Sequence, residues 1–298
     1  MKRFQHVLTL LPSHTDGSNA IAWAKTIARA AGARKVDLIS CTENHLPDFP
    51  PLEGQDSLLQ GEHEKLSQWA AEFEEATETE VFVETGNPLK LVLAHLAAGT
   101  YDLVILPVCD LDSRLFAERL ARKSPVGVLL VPADCPPAFT SILTAIDLSD
   151  LSELALEWAE AFSSLAQQET RLEALHVMKL PMDSRATMAI SRDHLRREIH
   201  QSSLSQLTRL VRKTVNNAKS WKLTITENPL ASMEIVRTAT KVEADLVIIG
   251  SHGRGALSVT LLGGQTAEVI RNCDRPVLVV KKKNETLGIL RQLIGLSK

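Results

Sequence analysis

Asp245-Leu-Val-Ile-Ile-Gly-Ser-His-Gly-Arg-Gly255, followed after a spacer by Gly263-Gly264-Gln265-Thr266, is the stretch on which the reading of this chain turns. The apolar run Leu246 to Ile249 reads as a buried strand. It enters a loop hinged at Gly250 and Gly253, and a second glycine pair opens a helix from about Gln265. Glycine lets a backbone take positive φ and approach a ligand with no β-carbon in the way. Amides at a helix start, with the positive end of the dipole behind them, favour an anion. The stretch therefore reads as a phosphate cradle, in which Gly250, Gly253, Gly263 and Gly264 shape the backbone and the amides of Gly264, Gln265 and Thr266 donate. Its spacing, Gly-x-x-Gly, nine residues, then Gly-Gly, matches neither the P-loop nor the dinucleotide fingerprint. A plain turn after a strand is the competing reading.

Working outward, the chain repeats itself. Phe4-Gln-His-Val-Leu-Thr matches Phe139-Thr-Ser-Ile-Leu-Thr, and Ala20, Trp23 and Ala24 match Ala155, Trp158 and Ala159, all at one offset of 135 residues. Asn87-Pro88-Leu89 matches Asn228-Pro229-Leu230, and Asp102-Leu-Val-Ile matches Asp245-Leu-Val-Ile, at offsets of 141 and 143. Widening offsets are what a duplicated domain with loop insertions produces. Asp134-Cys-Pro-Pro-Ala138 is the natural joint, since neighbouring prolines interrupt helix and sheet. The expected domains are residues 1–133 and 139–283, with a tail at 284–298.

In the second half, apolar runs alternate with helical patterns. Strands are expected over Ser141 to Ile146, Arg171 to Val177, Leu223 to Thr226, Leu246 to Ile249 and Pro276 to Val280. Helices are expected over Glu153 to Leu165, around His194 to Asn217, near Met233 to Ala239 and from Gln265. Such alternation, with strands rich in Val, Ile and Leu, predicts an α/β fold whose parallel sheet is covered by helices on both faces. Ligands on these sheets bind beyond the carboxyl ends of the strands. The Gly250 loop and Asp147 both follow such an end.

Composition narrows the partners. With 44% hydrophobic and 23% charged residues the chain is of ordinary globular type. Aromatics make up 4% and Tyr101 is the single tyrosine, which argues against stacking platforms for single strands. A net charge of −3 argues against a nucleic-acid partner in general. The four cysteines, Cys41, Cys109, Cys135 and Cys273, are widely spaced, which predicts reduced thiols rather than a zinc site or disulfides. No apolar run approaches a membrane span, and Met1-Lys2-Arg3 leads into a strand-like segment rather than a signal peptide. The expectation is a cytoplasmic protein without a membrane partner.

The second half resembles a universal stress protein domain, from Ile142-Leu-Thr-Ala-Ile-Asp147 through Leu175-His-Val177 and the glycine loop to Arg275-Pro-Val-Leu-Val-Val280, and the whole chain resembles a tandem member of that family. The resemblance implies two domains, each a five-stranded parallel sheet of strand order 3-2-1-4-5. It implies pairing of the last strands, near Val128 to Val131 and Val277 to Val280, as an internal pseudo-dimer, with homodimerisation a further option. It implies a stress-response role and ATP as a regulatory ligand, AMP and ADP being the alternatives, with magnesium as a companion ion. Asp147 would accept hydrogen bonds from ribose hydroxyls, which suits a carboxylate, and the Val177 backbone would meet adenine. ATP-binding members carry Ser or Thr where this chain has Gly264, so one phosphate hydrogen bond is expected to be missing, a loss of about 0.5–3 kcal/mol. The competing reading of Asp147 is a cap on the following helix, a part Ser149 could also play.

The first half departs from this pattern. Pro12 stands at the counterpart of Asp147, and Asp102-Leu-Val-Ile-Leu runs into Pro107-Val-Cys-Asp. From Asp102 to Val131 is 29 positions, against 35 from Asp245 to Val280, and no glycine lies between Gly99 and Gly127. ATP is not expected there in the family manner. Asp16-Gly17-Ser18 is explained by a turn and helix cap.

His252 and Arg254 lie inside the loop and could approach phosphates. No nucleophile elbow, H-E-x-x-H or paired acid and base is present. Catalysis is therefore expected to reach slow ATP hydrolysis at most, with no residue assigned to a positioned water or to charge neutralisation. His194 and His200, with Arg192, Arg196 and Arg197, read as a solvated helix face, and Lys281-Lys282-Lys283 as the solvated end of a strand. Leu287, Leu290 and Ile294 predict an amphipathic tail helix docked on its own body or on another subunit. Two functions stay open: a stress-response protein that binds adenine nucleotide in its second domain, and a nucleotide-free scaffold that works through protein contacts and dimerisation.

Overall fold

The computed structural model describes residues 3–13, 16–42, 55–180, 192–253 and 262–282. Arg254, Lys283 and the 284–298 tail, for which the sequence carries expectations, lie outside the described residues. The chain divides into two compact units, one within Met1–Pro137 and one of Ala138–Lys281.

The first unit runs β1 (His6–Leu10), α1 (Ser18–Ala31), β2 (Lys35–Thr42), α2 (Gln55–Ala70), β3 (Glu78–Thr85), α3 (Pro88–Ala98), β4 (Leu103–Val108), α4 (Leu111–Lys123) and β5 (Gly127–Pro132). The second runs β6 (Ser141–Ala145), α5 (Asp150–Ser163), β7 (Arg171–Met178), α6 (Arg192–Thr214), β8 (Trp221–Glu227), α7 (Ala231–Lys241), β9 (Leu246–Gly250), α8 (Gly264–Asn272) and β10 (Val277–Val280). Within the first unit the strand order is β3-β2-β1-β4-β5, and within the second β8-β7-β6-β9-β10. Numbered inside each unit, both orders are 3-2-1-4-5, as expected. Strand pairings within the units are parallel.

Every residue of β4, β5, β6 and β10 is buried. Successive side chains of a strand point to opposite faces, so helices cover both faces of each sheet. That is why these strands read as unbroken apolar runs rather than as alternating ones. The repeated tryptophans do the same work in each copy: Trp23 on α1 and Trp158 on α5 are both buried.

The repeated aspartates pin the amino ends of the strands. Asp245 Oδ2 accepts from Thr140 N at 2.7 Å, Thr140 Oγ1 at 2.6 Å and Ser141 N at 2.9 Å, holding the start of β6. In the first unit Asp102 Oδ2 accepts from Gln5 N at 2.8 Å and His6 N at 3.2 Å, holding the start of β1. At the carboxyl ends the central strands stop in the same register: Leu11 N donates to Ile39 O and Ile146 N to Leu175 O, each at 2.8 Å. The next residues are Pro12 and Asp147. Each sheet thus parts where β1 or β6 leaves its neighbour, which is where a doubly wound sheet opens a crevice.

Three expectations about local structure meet a clear answer. Asp16 Oδ1 accepts from Ser18 N at 2.9 Å at the start of α1, so the Asp16-Gly17-Ser18 segment serves the helix. His194, Arg196, Arg197 and His200 lie exposed on α6, with His194 Nε2 3.2 Å from Glu198 Oε1 one turn on. Lys281, in contrast, is not solvated. It is buried directly after β10, and desolvation pushes its ammonium group down to about 8.

Candidate functional site

A cleft of about 560 Å³ opens at the carboxyl ends of β6, β7 and β9, within the size range of small-molecule sites. Of the site residues named from the sequence, it gathers Asp147, Val177, Gly250, His252, Gly253, Gly263, Gly264, Gln265 and Thr266. They come from separate stretches of chain, and the topology alone brings them together.

One end of the cleft is the start of α8. Gly263 is the N-cap, with φ −64 and ψ 142, and supplies no side-chain cap. The first amide bonded within the helix is that of Ala267, which donates to Gly263 O at 2.9 Å. The amides of Gly264, Gln265 and Thr266 are the orphan donors of the first turn. Both side chains that could compete turn elsewhere. Thr266 Oγ1 donates to Gly250 O at 2.8 Å, and Gln265 Oε1 accepts from Ser232 N at 2.7 Å. The loop leaves β9 on two further tethers, Ser251 N to Val280 O at 3.0 Å and Gly263 N to Ser251 O at 2.8 Å.

The glycines act differently from the expectation. Among the described residues the glycines with positive φ are Gly32 and Gly86, so none of Gly250, Gly253, Gly263 and Gly264 is there for a left-handed backbone. Close packing explains two of them. A β-carbon on Gly253 would lie 2.3 Å from Asp147 Oδ2, and one on Gly250 would lie 3.0 Å from Leu151 Cβ. Gly253 is therefore the space in which the Asp147 carboxylate sits. A β-carbon on Gly264 would meet nothing within 4 Å, so a serine would fit there without displacing anything.

Asp147 is held as well as accommodated. Its Oδ1 accepts from Ser149 N at 3.0 Å, Ser149 Oγ at 2.6 Å and Ser152 Oγ at 2.8 Å, and its own amide donates to Ser152 Oγ at 3.2 Å. Leu148 makes this turn possible with φ 64, a left-handed conformation costly for a leucine. Ser149 occupies the N-cap position of α5, yet its side chain makes no cap bond. The cap reading of Asp147 is thus partly realised, since one oxygen organises the helix entry while the other lies against Gly253.

The far end of the cleft is backbone. Leu175 O accepts from Ile146 N, and Met178 O from Asn228 N at 3.2 Å. Alternation along a strand turns Val177 N–H and C=O to the same edge as Leu175. There β6 has already ended, so this edge offers one donor and one acceptor to a flat heterocycle. Ala231 and Ile235 of α7 and Ile249 of β9 give the apolar lining. His176 Nδ1 donates to Ile146 O at 2.8 Å, which leaves Nε2 as the acceptor of the neutral ring. His252 Nδ1 lies 3.1 Å from Ser251 Oγ.

Sequence reasoning passed over Lys179, Ser152, Ala231 and Ile235, all of which line the cleft. Lys179 had a readable signal, because it lies two residues beyond Val177, just past the end of β7. Leu148 carried none, since nothing marks a leucine for a left-handed turn.

Between β4 and α4, where the described residues are complete, the first unit builds no such cradle. Only Cys109 and Asp110 separate β4 from α4, whereas residues 251–263 separate β9 from α8. Asp110 Oδ1 accepts from Ser113 N at 2.8 Å, while Ser113 Oγ accepts from Cys109 N at 3.0 Å and Asp110 N at 3.1 Å, a full capping box. The Ser113 amide holds the Asp110 carboxyl below the usual carboxylate range. Cys41, at the end of β2, is buried and pushed up to about 12 by desolvation, as an inert thiol.

Residues 138–281 match the model of the Universal stress protein family. A universal stress protein of Methanocaldococcus jannaschii is 28% identical over 159 residues, covering 49% of this chain and 97% of its own length. Universal stress protein E of Photorhabdus laumondii is 21% identical over 302 residues, covering 94% of this chain and 96% of its own. Among solved structures, a protein of unknown function from Pseudomonas aeruginosa superposes with a TM-score of 0.67 at 18% identity, over 99% of this chain and 98% of that one, and supports the fold. With the 3-2-1-4-5 sheet and these matches together, residues 138–281 form a domain of the universal stress protein family, and the chain as a whole is similar to a universal stress protein along nearly its full length.

Proposed function

We propose that the chain is a cytoplasmic stress-response protein whose second unit binds an adenine nucleotide, ATP first and ADP or AMP next, as a regulatory ligand. The observation that carries this reading is the uncapped start of α8, where three orphan amides face the cleft while the neighbouring side chains of Gln265 and Thr266 bond elsewhere. The rest of the cleft fits the other parts of such a ligand. Asp147, fixed through Oδ1, suits ribose hydroxyls. The free edge of Val177 and the apolar wall of Ala231 and Ile235 suit a purine. The phosphates would rest on the amides of Gly264, Gln265 and Thr266, with His252 and Lys179 as flanking groups. A bound magnesium would be held chiefly by the phosphates, as is usual for that ion.

Titration calorimetry of the full chain with ATP, ADP and AMP, with and without magnesium, tests the proposal, backed by native mass spectrometry of gently purified protein. Saturable binding of one nucleotide per chain is expected. If wild-type protein takes up none of them, the scaffold reading with its protein partners replaces this one.

A further inference from the structure

The side chain of Gln265 lies in the anion cradle by sequence and serves another helix by structure. Its Oε1 accepts from Ser232 N at 2.7 Å, across 33 residues of chain. Ser232 is the second residue of α7, one of the positions whose amide a helix cannot satisfy internally. The usual acceptor would be the side chain of the N-cap residue. Here that residue is Leu230, which has no acceptor to offer and makes no cap bond. Ser232 is buried, so water is a poor substitute. Gln265 therefore supplies from α8 the cap that the sequence of α7 lacks.

The position of that cap has a consequence for the cleft. Ala231, beside the capped amide, and Ile235, one turn on, lie on one face of α7 and line the apolar end. The backbone of Gln265 belongs to the first turn of α8 at the anion end. We infer that Gln265 is a positioning residue that locks the wall of the base slot to the phosphate-binding turn, without itself touching the ligand through its side chain. The inference rests on the adenine-nucleotide reading above. It also goes beyond it, because it predicts how the two ends of the site depend on each other. Losing the acceptor would leave a buried amide unsatisfied and free the start of α7, so the base slot would loosen even for a ligand that carries no phosphate.

The test compares ATP with adenosine, which keeps the base and ribose and lacks the anion, on wild type, Gln265→Leu and Gln265→Glu. Gln265→Leu keeps the size and loses the acceptor, and both ligands are expected to weaken by a similar factor of about ten, the worth of one buried hydrogen bond. Gln265→Glu restores an acceptor oxygen, so adenosine affinity is expected to return to the wild-type value while ATP stays weakened by the added negative charge. In the ligand-free protein the Ser232 amide is expected to exchange with solvent faster in Gln265→Leu and at the wild-type rate in Gln265→Glu. Unchanged adenosine affinity in Gln265→Leu overturns the inference, as does a loss confined to ATP, which would make Gln265 a phosphate contact. Wild-type protein that binds neither ligand overturns the adenine reading and the inference with it; a wild type that binds both, with variants that do not follow the pattern, overturns the inference alone.

Discussion

The helices that follow the fourth strand of each unit, α4 and α8, face the same problem and meet it in opposite ways. Each begins with backbone amides that its own turn cannot satisfy. In α4 the chain brings its own anion, the Asp110 carboxylate, and a reciprocal hydroxyl from Ser113. In α8 the N-cap is Gly263, without a side chain, and the corresponding place opens on a cleft. The difference teaches that one fold can meet the same helix terminus in two ways. The first unit closes it with a carboxylate of its own, while the second leaves it without a side-chain cap on a cleft.

The comparison can be broken most severely by giving α8 the device of α4. Gly263→Asp places a carboxylate at an N-cap whose extended backbone accepts any residue. ATP binding is expected to fall by at least about a hundredfold, since two charges about 4 Å apart repel by ~4 kcal/mol at an effective dielectric of 20. Thermal stability should hold or rise slightly, because Asp caps better than Gly. Calorimetric titration beside a melting curve checks both, and a variant that melts early and still binds would end the analogy.

Gly253→Ala comes next. Its β-carbon would meet Asp147 Oδ2, so the carboxylate must move and ribose recognition should weaken ATP by about tenfold, one charge-assisted hydrogen bond. A nucleotide without ribose hydroxyls should lose little by comparison, which separates displacement of Asp147 from general damage.

Asp110→Ala tests the closed side. About 1 kcal/mol of stability should be lost from the first unit, with ATP affinity unchanged. The folded carboxyl titrates below its unfolded value, so its contribution is present above the unfolded value, near pH 4, and fades as pH falls through the folded one. The gap in unfolding free energy between wild type and variant should therefore be full at pH 7 and shrink below about pH 4. A gap that widens in acid would contradict the assignment of the cap.

Gly264→Ser should have the smallest effect. Open space surrounds the position, and a hydroxyl there could add one hydrogen bond to phosphate, tightening ATP by about fivefold, or ~1 kcal/mol. No change would mean that the anion sits away from this residue.

How much of this was legible in the sequence depended on whether a residue acts through its neighbours in chain or in space. The strands of the second unit and their order follow from apolar runs and from the family resemblance, because a strand buried on both faces has little freedom in composition. The repeated Asp102 and Asp245 were visible as a repeat, while their use as pins for β1 and β6 was not. Asn87-Pro88-Leu89 and Asn228-Pro229-Leu230 show how far identity can mislead. Asn87 caps α3 directly, accepting from Lys90 N at 3.1 Å, whereas Asn228 accepts from Leu230 N at 2.9 Å in a tighter turn and α7 starts only at Ala231. In the cleft, the glycine spacing marked a loop that does line it, though not through backbone freedom, since Gly253 yields room to Asp147. The burial of Lys281 was hidden because a run of lysines carries no record of what packs over it.

The capping box of α4 also has a thermodynamic consequence. An anion built into the chain is always present, so the order it confers on the first unit does not depend on any concentration in the surroundings. If α8 takes its anion from a nucleotide, the second unit gains stability with ligand as RT ln(1 + [L]/Kd), about 2.7 kcal/mol at a hundredfold excess over Kd. Were the two units to unfold independently, one polypeptide would then carry a half whose unfolding midpoint follows the nucleotide pool and a half whose midpoint stays still, a sensor with its own internal reference.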